Sequence, residues 1–188
     1  PLIAVTDSAT CPRPLAEQIE RLAKLTELRP QAVILRAKAL DKAAYRTLAL
    51  QAQQSCEAAG IPLILHSDWQ LARELGISML HLPLAFLRQI SEYERAYFTW
   101  LSTSVHSVGE AQEAQALGAT VLIAGHIYTT QCKAGLAPRG LGFLQSVCSA
   151  VSLPVYAIGG IGFDAAQHAE LKANGARGAC VMSAYMRL

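Results

Sequence analysis

The feature that most constrains the fold is an alternation of eight short apolar runs with segments of helical periodicity along the whole chain. The runs are too continuous for half-exposed strands, which indicates strands that are buried on both faces, as in parallel sheets. The predicted strands are Leu2–Thr6, Ala32–Arg36, Pro62–His66, Met79–Leu82, Trp100–Val105, Thr120–Ala124, Pro154–Ile158 and Gly178–Met182.

Helix formers fill the intervals, and strands recur every ~20 to 30 residues, as βαβ units require. Asp41 and Gly60 predict the two caps of one helix. The predicted helices are Pro14–Leu28, Asp41–Ala59, Trp69–Leu75, Phe86–Phe98, Val108–Leu117, Leu141–Val151 and Asp164–Ala173.

Eight strands favour an α/β fold of the closed (β/α)8 TIM-barrel type, in one domain over residues 1–188. The chain is short for this fold, which usually takes about 250 residues. An open flavodoxin-like sheet uses about five strands and would leave three apolar runs unexplained. The sequence ends soon after the eighth run, so we expect a C-terminal helix to be truncated.

The composition narrows the class of protein. A content of 52% hydrophobic and 16% charged residues predicts a compact core, and a net charge of +2 argues against nucleic acid or anionic membrane partners. No signal peptide or membrane span is visible. Five cysteines without CxxC spacing favour reduced thiols and a cytoplasmic location. Homo-oligomer formation is left open.

Histidines cluster at the predicted strand ends, which face the active site in such a barrel. His126 follows the sixth strand and can take and return a proton near neutral pH. A structural histidine that caps a backbone carbonyl is the alternative, and spacing does not decide between them. His66 and His106 are expected to be structural or to orient a substrate, His81 to pack, and His168 to be solvated.

Gly159 and Gly160 follow the seventh strand and predict a phosphate-binding turn. Glycines allow the backbone to approach a ligand closely, and their N–H groups suit a phosphate. Met182 and Ser183 form a partner turn after the eighth strand, and barrels of this type bind phosphate after strands seven and eight. The alternative is a tight turn without a ligand.

Positive side chains are predicted at the barrel mouth. Arg36 and Lys38 point the same way along a strand, and the buried context favours inward side chains over a solvated edge. The predicted substrate-binding residues are Arg36, Lys38, Ser104, His106, Thr129 and Lys133. Carboxylates are scarce at the strand ends and no zinc spacing is present, so no metal or other cofactor is expected.

The chain resembles the thiamine phosphate synthase/TenI superfamily along essentially its whole length, and the resemblance implies a (β/α)8 barrel. The similar segments are Val5-Thr6-Asp7, Leu35-Arg36-Ala37-Lys38, Ser104-Val105-His106-Ser107 with Glu110, Gly125–Gly140, Ala157–Ile161 and Val181-Met182-Ser183.

Three segments of the chain differ from the usual pattern of the superfamily, and they bear on whether the chain resembles the synthase branch or the TenI branch. Gly125-His126 stands where synthases carry Gly-Pro, and the loop to Gly140 is similar to the TenI branch. His66-Ser67-Asp68 and His81-Leu82-Pro83-Leu84 lack the asparagine and the second aspartate with which synthases hold Mg²⁺ and pyrophosphate. Ala37 replaces the glutamate usual in the family.

The TenI resemblance implies an isomerase of thiamine biosynthesis, a thiazole tautomerase that aromatises a small thiazole carboxylate phosphate. It implies that His126 is the catalytic residue that transfers the proton. The first alternative is a thiamine phosphate synthase, which releases pyrophosphate and depends on Mg²⁺; only this alternative calls for a cofactor. The second is a non-catalytic regulatory protein that binds thiazole or thiamine phosphate.

Overall fold

The protein, described over residues 1–188 by a computed structural model, is a closed barrel of eight parallel strands. Neighbouring strands follow the sequence order, and β1 pairs with β8 to close the barrel. The predicted fold is therefore confirmed. The strands are β1 Leu2–Val5, β2 Ala32–Leu35, β3 Leu63–His66, β4 Met79–Pro83, β5 Trp100–Val105, β6 Val121–Gly125, β7 Val155–Ile158 and β8 Gly178–Val181.

Nine α-helices surround the barrel or follow its strands, and a short 3-10 helix, Gln131–Lys133, lies in the loop after β6. The helices are α1 Leu15–Ala23, α2 Lys42–Ala59, α3 Trp69–Glu74, α4 Leu84–Leu87, α5 Glu92–Arg95, α6 Val108–Ala116, α7 Gly140–Ala150, α8 Ala165–Ala173 and α9 Ser183–Met186. The caps predicted for α2 are confirmed: the Asp41 carboxylate accepts the Ala44 N–H, and Gly60 adopts a left-handed conformation with φ 64°. None of the helices combines the length and the apolar character needed to span a bilayer.

The strands are apolar throughout because both of their faces are buried. Alternate residues such as Val33 and Leu35 pack outward against the helices in the larger hydrophobic cluster. The residues between them point into the barrel, where Ile34, Ile64 and Ile123 belong to a second, smaller cluster. This two-sided burial explains why the sequence shows continuous runs and not a polar–apolar alternation.

The prediction of one continuous helix over Phe86–Phe98 is wrong. The structure has two short helices, α4 and α5, in this region. Ser91 begins α5 with a capping box: its hydroxyl accepts the Glu94 N–H, and the Glu94 carboxylate accepts the Ser91 N–H. A capping box satisfies the free N–H groups of a helix start, so it favours a new helix over continuation of the previous one.

Candidate active site

A cavity of about 860 Å³ opens at the carboxyl ends of the strands. Its floor is apolar and includes Val5, Ile34, Ile123 and Ile158, whereas its rim is formed by polar residues of the following loops. The structure brings all the predicted site residues to this one cavity: Arg36, Lys38, Ser104, His106, His126, Thr129, Lys133, Gly159, Gly160, Met182 and Ser183. Their individual roles remain predictions.

The Gly159-Gly160 turn after β7 requires glycine for two reasons. Both residues have positive φ, 102° at Gly159 and 68° at Gly160. A Cβ at Gly159 would lie 2.2 Å from the His126 Cβ, and one at Gly160 would lie 2.5 Å from the Thr129 carbonyl oxygen. The turn therefore packs tightly against the segment after β6, which would account for both glycines without a ligand.

The N–H groups of the turn nevertheless remain free for a ligand, since neither Gly159 nor Gly160 donates a backbone hydrogen bond within the protein. The partner turn after β8 shares this property, because the N–H groups of Ser183 and Ala184 also have no backbone acceptor. β7 and β8 are hydrogen-bonded neighbours, so the two turns are adjacent. Converging free N–H groups form an anion-binding concavity.

His126 lies against the glycine turn and is only 9% exposed. Its Nε2 atom is buried and has no hydrogen-bond partner in the protein. This is a different arrangement from a structural histidine whose Nε2 caps a carbonyl. A buried polar atom without a partner costs about 1–3 kcal/mol, so the orphaned Nε2 marks a position where a ligand atom would be favourable.

Arg36 and Lys38 both line the cavity, as the buried context of their strand predicted. The Arg36 guanidinium contacts the Asp7 carboxylate at 2.5 Å, and the Thr6 hydroxyl binds both the backbone N–H and the carbonyl of Arg36 at 2.8 Å. Lys38 and Lys133 are exposed and form no ion pair within the protein. The cavity wall therefore carries positive charge that the protein does not neutralise.

His81 is buried, as the prediction of a packing role requires, and its ring also belongs to a hydrogen-bonded network. Its Nδ1 lies 2.9 Å from the Ser102 hydroxyl and its Nε2 lies 3.0 Å from the Ser104 hydroxyl. Ser102 is fully buried, whereas Ser104 lines the cavity. The signal in the sequence was the pair of serines two residues apart on β5, which face the same way.

His66 lies beside His81 in the cavity wall, with the two ring centroids 5.2 Å apart. Burial lowers the pKa of His66 to about 4, and the nearby charges of Arg36 and Lys38 act in the same direction. Burial also lowers the pKa of His81 to about 3, with a contribution from His66. Both rings are therefore neutral at physiological pH and can act as hydrogen-bonding groups without carrying charge.

Tyr45 on α2 positions two of the strand ends, and sequence reasoning missed it. Its hydroxyl donates to the Leu35 carbonyl at 2.8 Å and accepts the His66 N–H at 3.0 Å. Burial raises the pKa of Tyr45 to about 12, so the hydroxyl keeps its proton. This one side chain thus joins the end of β2, just before Arg36, to the end of β3 at His66.

The other predicted histidines lie at the periphery. The side chain of His106 is 48% exposed, and its Nδ1 lies 3.3 Å from the Glu110 carboxylate, which also accepts the His106 N–H at 2.6 Å. His168 was expected to be solvated, but its Nε2 lies 2.9 Å from the Gly162 carbonyl oxygen. It therefore contacts the loop that follows the Gly159-Gly160 turn.

The residues present do not fit a Mg²⁺ site. Such a site uses one or two carboxylates together with substrate phosphates. Glu110 is the only carboxylate on the cavity wall, and it already accepts the His106 N–H at 2.6 Å and lies 3.3 Å from the His106 Nδ1. Asp7 binds Arg36, and Asp68 caps α3 by accepting the Leu71 N–H at 2.9 Å. No group of three or more His, Cys, Asp or Glu side chains lies close enough together to hold a metal ion.

Fold and site together define a (β/α)8 barrel with a cavity at the carboxyl ends of its strands, lined by positive side chains and by backbone N–H groups that have no partner in the protein. The family described as thiamine monophosphate synthase matches residues 2–185 of this chain. The chain belongs to this family, whose description is that of an enzyme.

Two relatives of this chain are thiamine-phosphate synthases, in agreement with the family description. A thiamine-phosphate synthase of Listeria monocytogenes serotype 4b is 36% identical over 147 residues, which cover 76% of this chain and 67% of the relative. A thiamine-phosphate synthase of Desulfitobacterium hafniense (strain Y51) is 33% identical over 158 residues, 81% of this chain and 73% of the relative.

Solved structures agree with the fold. A thiamine phosphate pyrophosphorylase from Pyrococcus furiosus superposes with a TM-score of 0.79 at 23% identity, covering 100% of this chain and 87% of that one. FabK from Thermotoga maritima gives a TM-score of 0.70 at 19% identity, covering 97% and 58%. At these identities the likeness shows the fold alone.

The comparisons correct the expected activity. The superfamily is confirmed, but the expectation of a thiazole tautomerase, an isomerase of the TenI branch, is wrong, because relatives at 33% and 36% identity are named thiamine-phosphate synthase. The expectation rested on the Gly125–Gly140 loop and on the missing Asn and Asp positions. Relatives that match about four fifths of the chain outweigh those local differences.

Proposed function

We propose that this chain makes thiamine phosphate by joining a phosphorylated thiazole to a pyrimidine carried as a diphosphate ester. The ring nitrogen of the thiazole attacks the methylene carbon of the pyrimidine and forms the new C–N bond. The C–O bond to the diphosphate breaks, and its electron pair leaves with the pyrophosphate. The thiazole becomes a thiazolium, so the step needs neither a proton transfer nor an oxidant.

The observation that carries the proposal is that one cavity holds two separate sets of groups suited to anions, namely unpaired backbone N–H groups and positive side chains. Free N–H groups lie on the turns after β7 and β8, and Arg36 and Lys38 lie after β2. β8, β1 and β2 are consecutive in the barrel, so one strand separates the two regions. A reaction between two phosphorylated substrates requires two such regions held within bonding reach of each other.

Each region suits one substrate. Gly159, Gly160 and Ser183 would bind the phosphate of the thiazole through backbone N–H groups, as glycine-rich turns do. Arg36, Lys38 and Lys133 would bind the diphosphate and stabilise the charge that develops on the leaving group. The apolar floor of the cavity would accept the uncharged faces of the two rings.

The remaining site residues would orient the rings. The orphaned Nε2 of His126 would hydrogen-bond to the bound thiazole phosphate or to the pyrimidine. Ser104, Thr129 and His106 lie on the same wall and would contact the polar edges of the substrates.

A cytoplasmic location, association into a homo-oligomer and the extent of the domain remain predictions.

The experiment that tests the proposal is incubation of the protein with the two phosphorylated substrates, with thiamine phosphate and pyrophosphate both quantified. Formation of the two products in equal amounts is expected. The Arg36→Gln variant should lower kcat/KM by about tenfold or more, since a charge-assisted hydrogen bond contributes about 1.5–3 kcal/mol. Absence of both products under all metal conditions would overturn the proposal.

A non-catalytic protein that binds thiamine phosphate is the second candidate, and the lack of a carboxylate cluster favours it. This candidate predicts that thiamine phosphate binds to the protein in calorimetry while neither product forms from the two substrates. Binding together with turnover would exclude it.

A further inference from the structure

The cavity wall carries an excess of positive side chains. The positive side chains on it are Arg36, Lys38, Arg88, Lys133 and Arg187, whereas the one carboxylate is that of Glu110. A single phosphate monoester carries a charge of about −1.5 to −2 at neutral pH, and a diphosphate carries more. Binding such a ligand therefore requires positive charge in the cavity.

Two of the positive groups are already matched within the protein. Arg88 forms a two-pronged contact with Glu113, at 2.6 Å and 2.8 Å, and Arg36 contacts Asp7 at 2.5 Å. Lys38, Lys133 and Arg187 form no ion pair. These three side chains leave uncompensated positive charge for a ligand, and they come from three separate segments of the rim.

The carboxylates near the cavity are occupied with other contacts. Glu110 accepts the His106 N–H at 2.6 Å, and Asp68 accepts the Leu71 N–H at 2.9 Å as the cap of α3. His66 and His81 lie deeper in the wall, but both nitrogens of the His81 ring are bound to serine hydroxyls. No set of oxygen ligands for Mg²⁺ remains.

We infer that this cavity binds the diphosphate group of its substrate through side-chain cations alone, without a divalent metal ion. The inference rests on the proposed synthase function for the identity of the ligand. Lys38, Lys133 and Arg187 supply the charge that a bound cation would otherwise supply, and Arg36 adds planar donors that suit phosphate oxygens.

Inorganic pyrophosphate is the probe that tests this inference, with binding measured by isothermal titration calorimetry on the full chain. Binding in the presence of EDTA should be at least as tight as binding in excess Mg²⁺. Lys38→Gln and Lys133→Gln should each weaken binding by about tenfold, the loss expected when one charge-assisted contact is removed. Lys172→Gln is the matched control, because Lys172 lies in the last turn of α8 near Pro1, away from the cavity.

Two results would overturn the inference: pyrophosphate binding that is detected only with Mg²⁺, or weakening by Lys38→Gln that is no greater than that by Lys172→Gln. The failure of this inference is distinguishable from the failure of the proposed function. Thiamine phosphate formation that requires Mg²⁺ would support the proposed function and contradict metal-free binding of the diphosphate. Metal-free pyrophosphate binding without any thiamine phosphate formation would support metal-free binding and contradict the proposed function.

Discussion

The ring of His66 lies 5.2 Å from the ring of His81, and the two planes are tilted by 36°. Burial in the cavity wall disfavours protonation of both rings, and a charge on His66 would further disfavour one on His81. Arg36 and Lys38 reinforce the effect at His66. Because both histidines resist protonation in the folded state, the free energy of unfolding of the barrel depends on pH.

The first prediction is that the free energy of unfolding falls as the pH is lowered below 6.5. In the unfolded chain a histidine has a pKa of about 6.5, whereas in the folded protein the pKa is about 4 for His66 and about 3 for His81. Between these values the unfolded state binds more protons, so lower pH favours it. At 1.36 kcal/mol per pKa unit, the pair should account for on the order of 6 kcal/mol by pH 4.

Urea denaturation at a series of pH values measures this slope. The His81→Asn variant should lose less stability between pH 6.5 and 4 than the wild type does. His106→Asn is the control, because His106 lies on the exposed rim away from the pair. Parallel pH profiles for the wild type and His81→Asn would contradict the prediction.

The second prediction concerns the hydroxyl of Tyr45. Tyr45→Phe removes the partner of the Leu35 carbonyl and of the His66 N–H. Leu35 is fully buried, and an unsatisfied buried group costs about 1–3 kcal/mol, so we expect a loss of about 2 kcal/mol in chemical denaturation. Tyr93→Phe, at a side chain that is 79% exposed, should change stability by less than ~0.5 kcal/mol. Equal effects of the two variants would refute the role of Tyr45.

The sequence was sufficient to predict the barrel, because strands buried on both faces leave continuous apolar runs that can be counted. The split between α4 and α5 was not predicted, since the Ser91–Glu94 capping box lies inside a stretch of good helix formers. The strand ends also predicted which residues meet at the cavity, since parallel strands present the same ends to one site.

Contacts between distant segments were beyond prediction. The Tyr45 hydroxyl joins backbone groups of β2 and β3, and backbone groups leave no trace in the residue pattern. The hydrogen bonds of His81 depend on the register between β4 and β5, which places His81 opposite Ser102. The predicted activity was wrong because the loop after β6 resembles the TenI branch, whereas the chain as a whole is similar to thiamine-phosphate synthases.

The third prediction is that Gly159→Ala destabilises the protein by on the order of 3 kcal/mol. The new Cβ would lie 2.2 Å from the His126 Cβ and 2.7 Å from its Cα, in addition to the cost of a positive φ. Gly76→Ala also places a side chain at a positive φ, +71°, but its Cβ meets nothing within 4 Å, so it should cost only about 1–2 kcal/mol. Thermal unfolding compares the two. A Gly159→Ala protein as stable as Gly76→Ala would mean that the segment after β6 moves away easily.

The fourth prediction separates ligand binding from stability at His126. His126→Phe conserves a ring and removes an Nε2 that has no partner in the protein, so the free energy of unfolding should stay equal or rise by about 1 kcal/mol. If Nε2 binds the ligand, affinity for thiamine phosphate should fall by about tenfold, equivalent to about 1.4 kcal/mol. Calorimetry and urea denaturation on the same preparations give both values.

His126→Gln completes this test, because glutamine keeps a polar side chain of similar reach and should retain part of the affinity that His126→Phe loses. A structural role for His126 predicts a different pattern, in which both variants are destabilised and bind ligand in proportion to the folded fraction. Unchanged affinity in His126→Phe would show that the orphaned Nε2 does not contact the ligand. The turns at Gly159 and Ser183, which we propose to bind the phosphate, would then have to provide that affinity without His126.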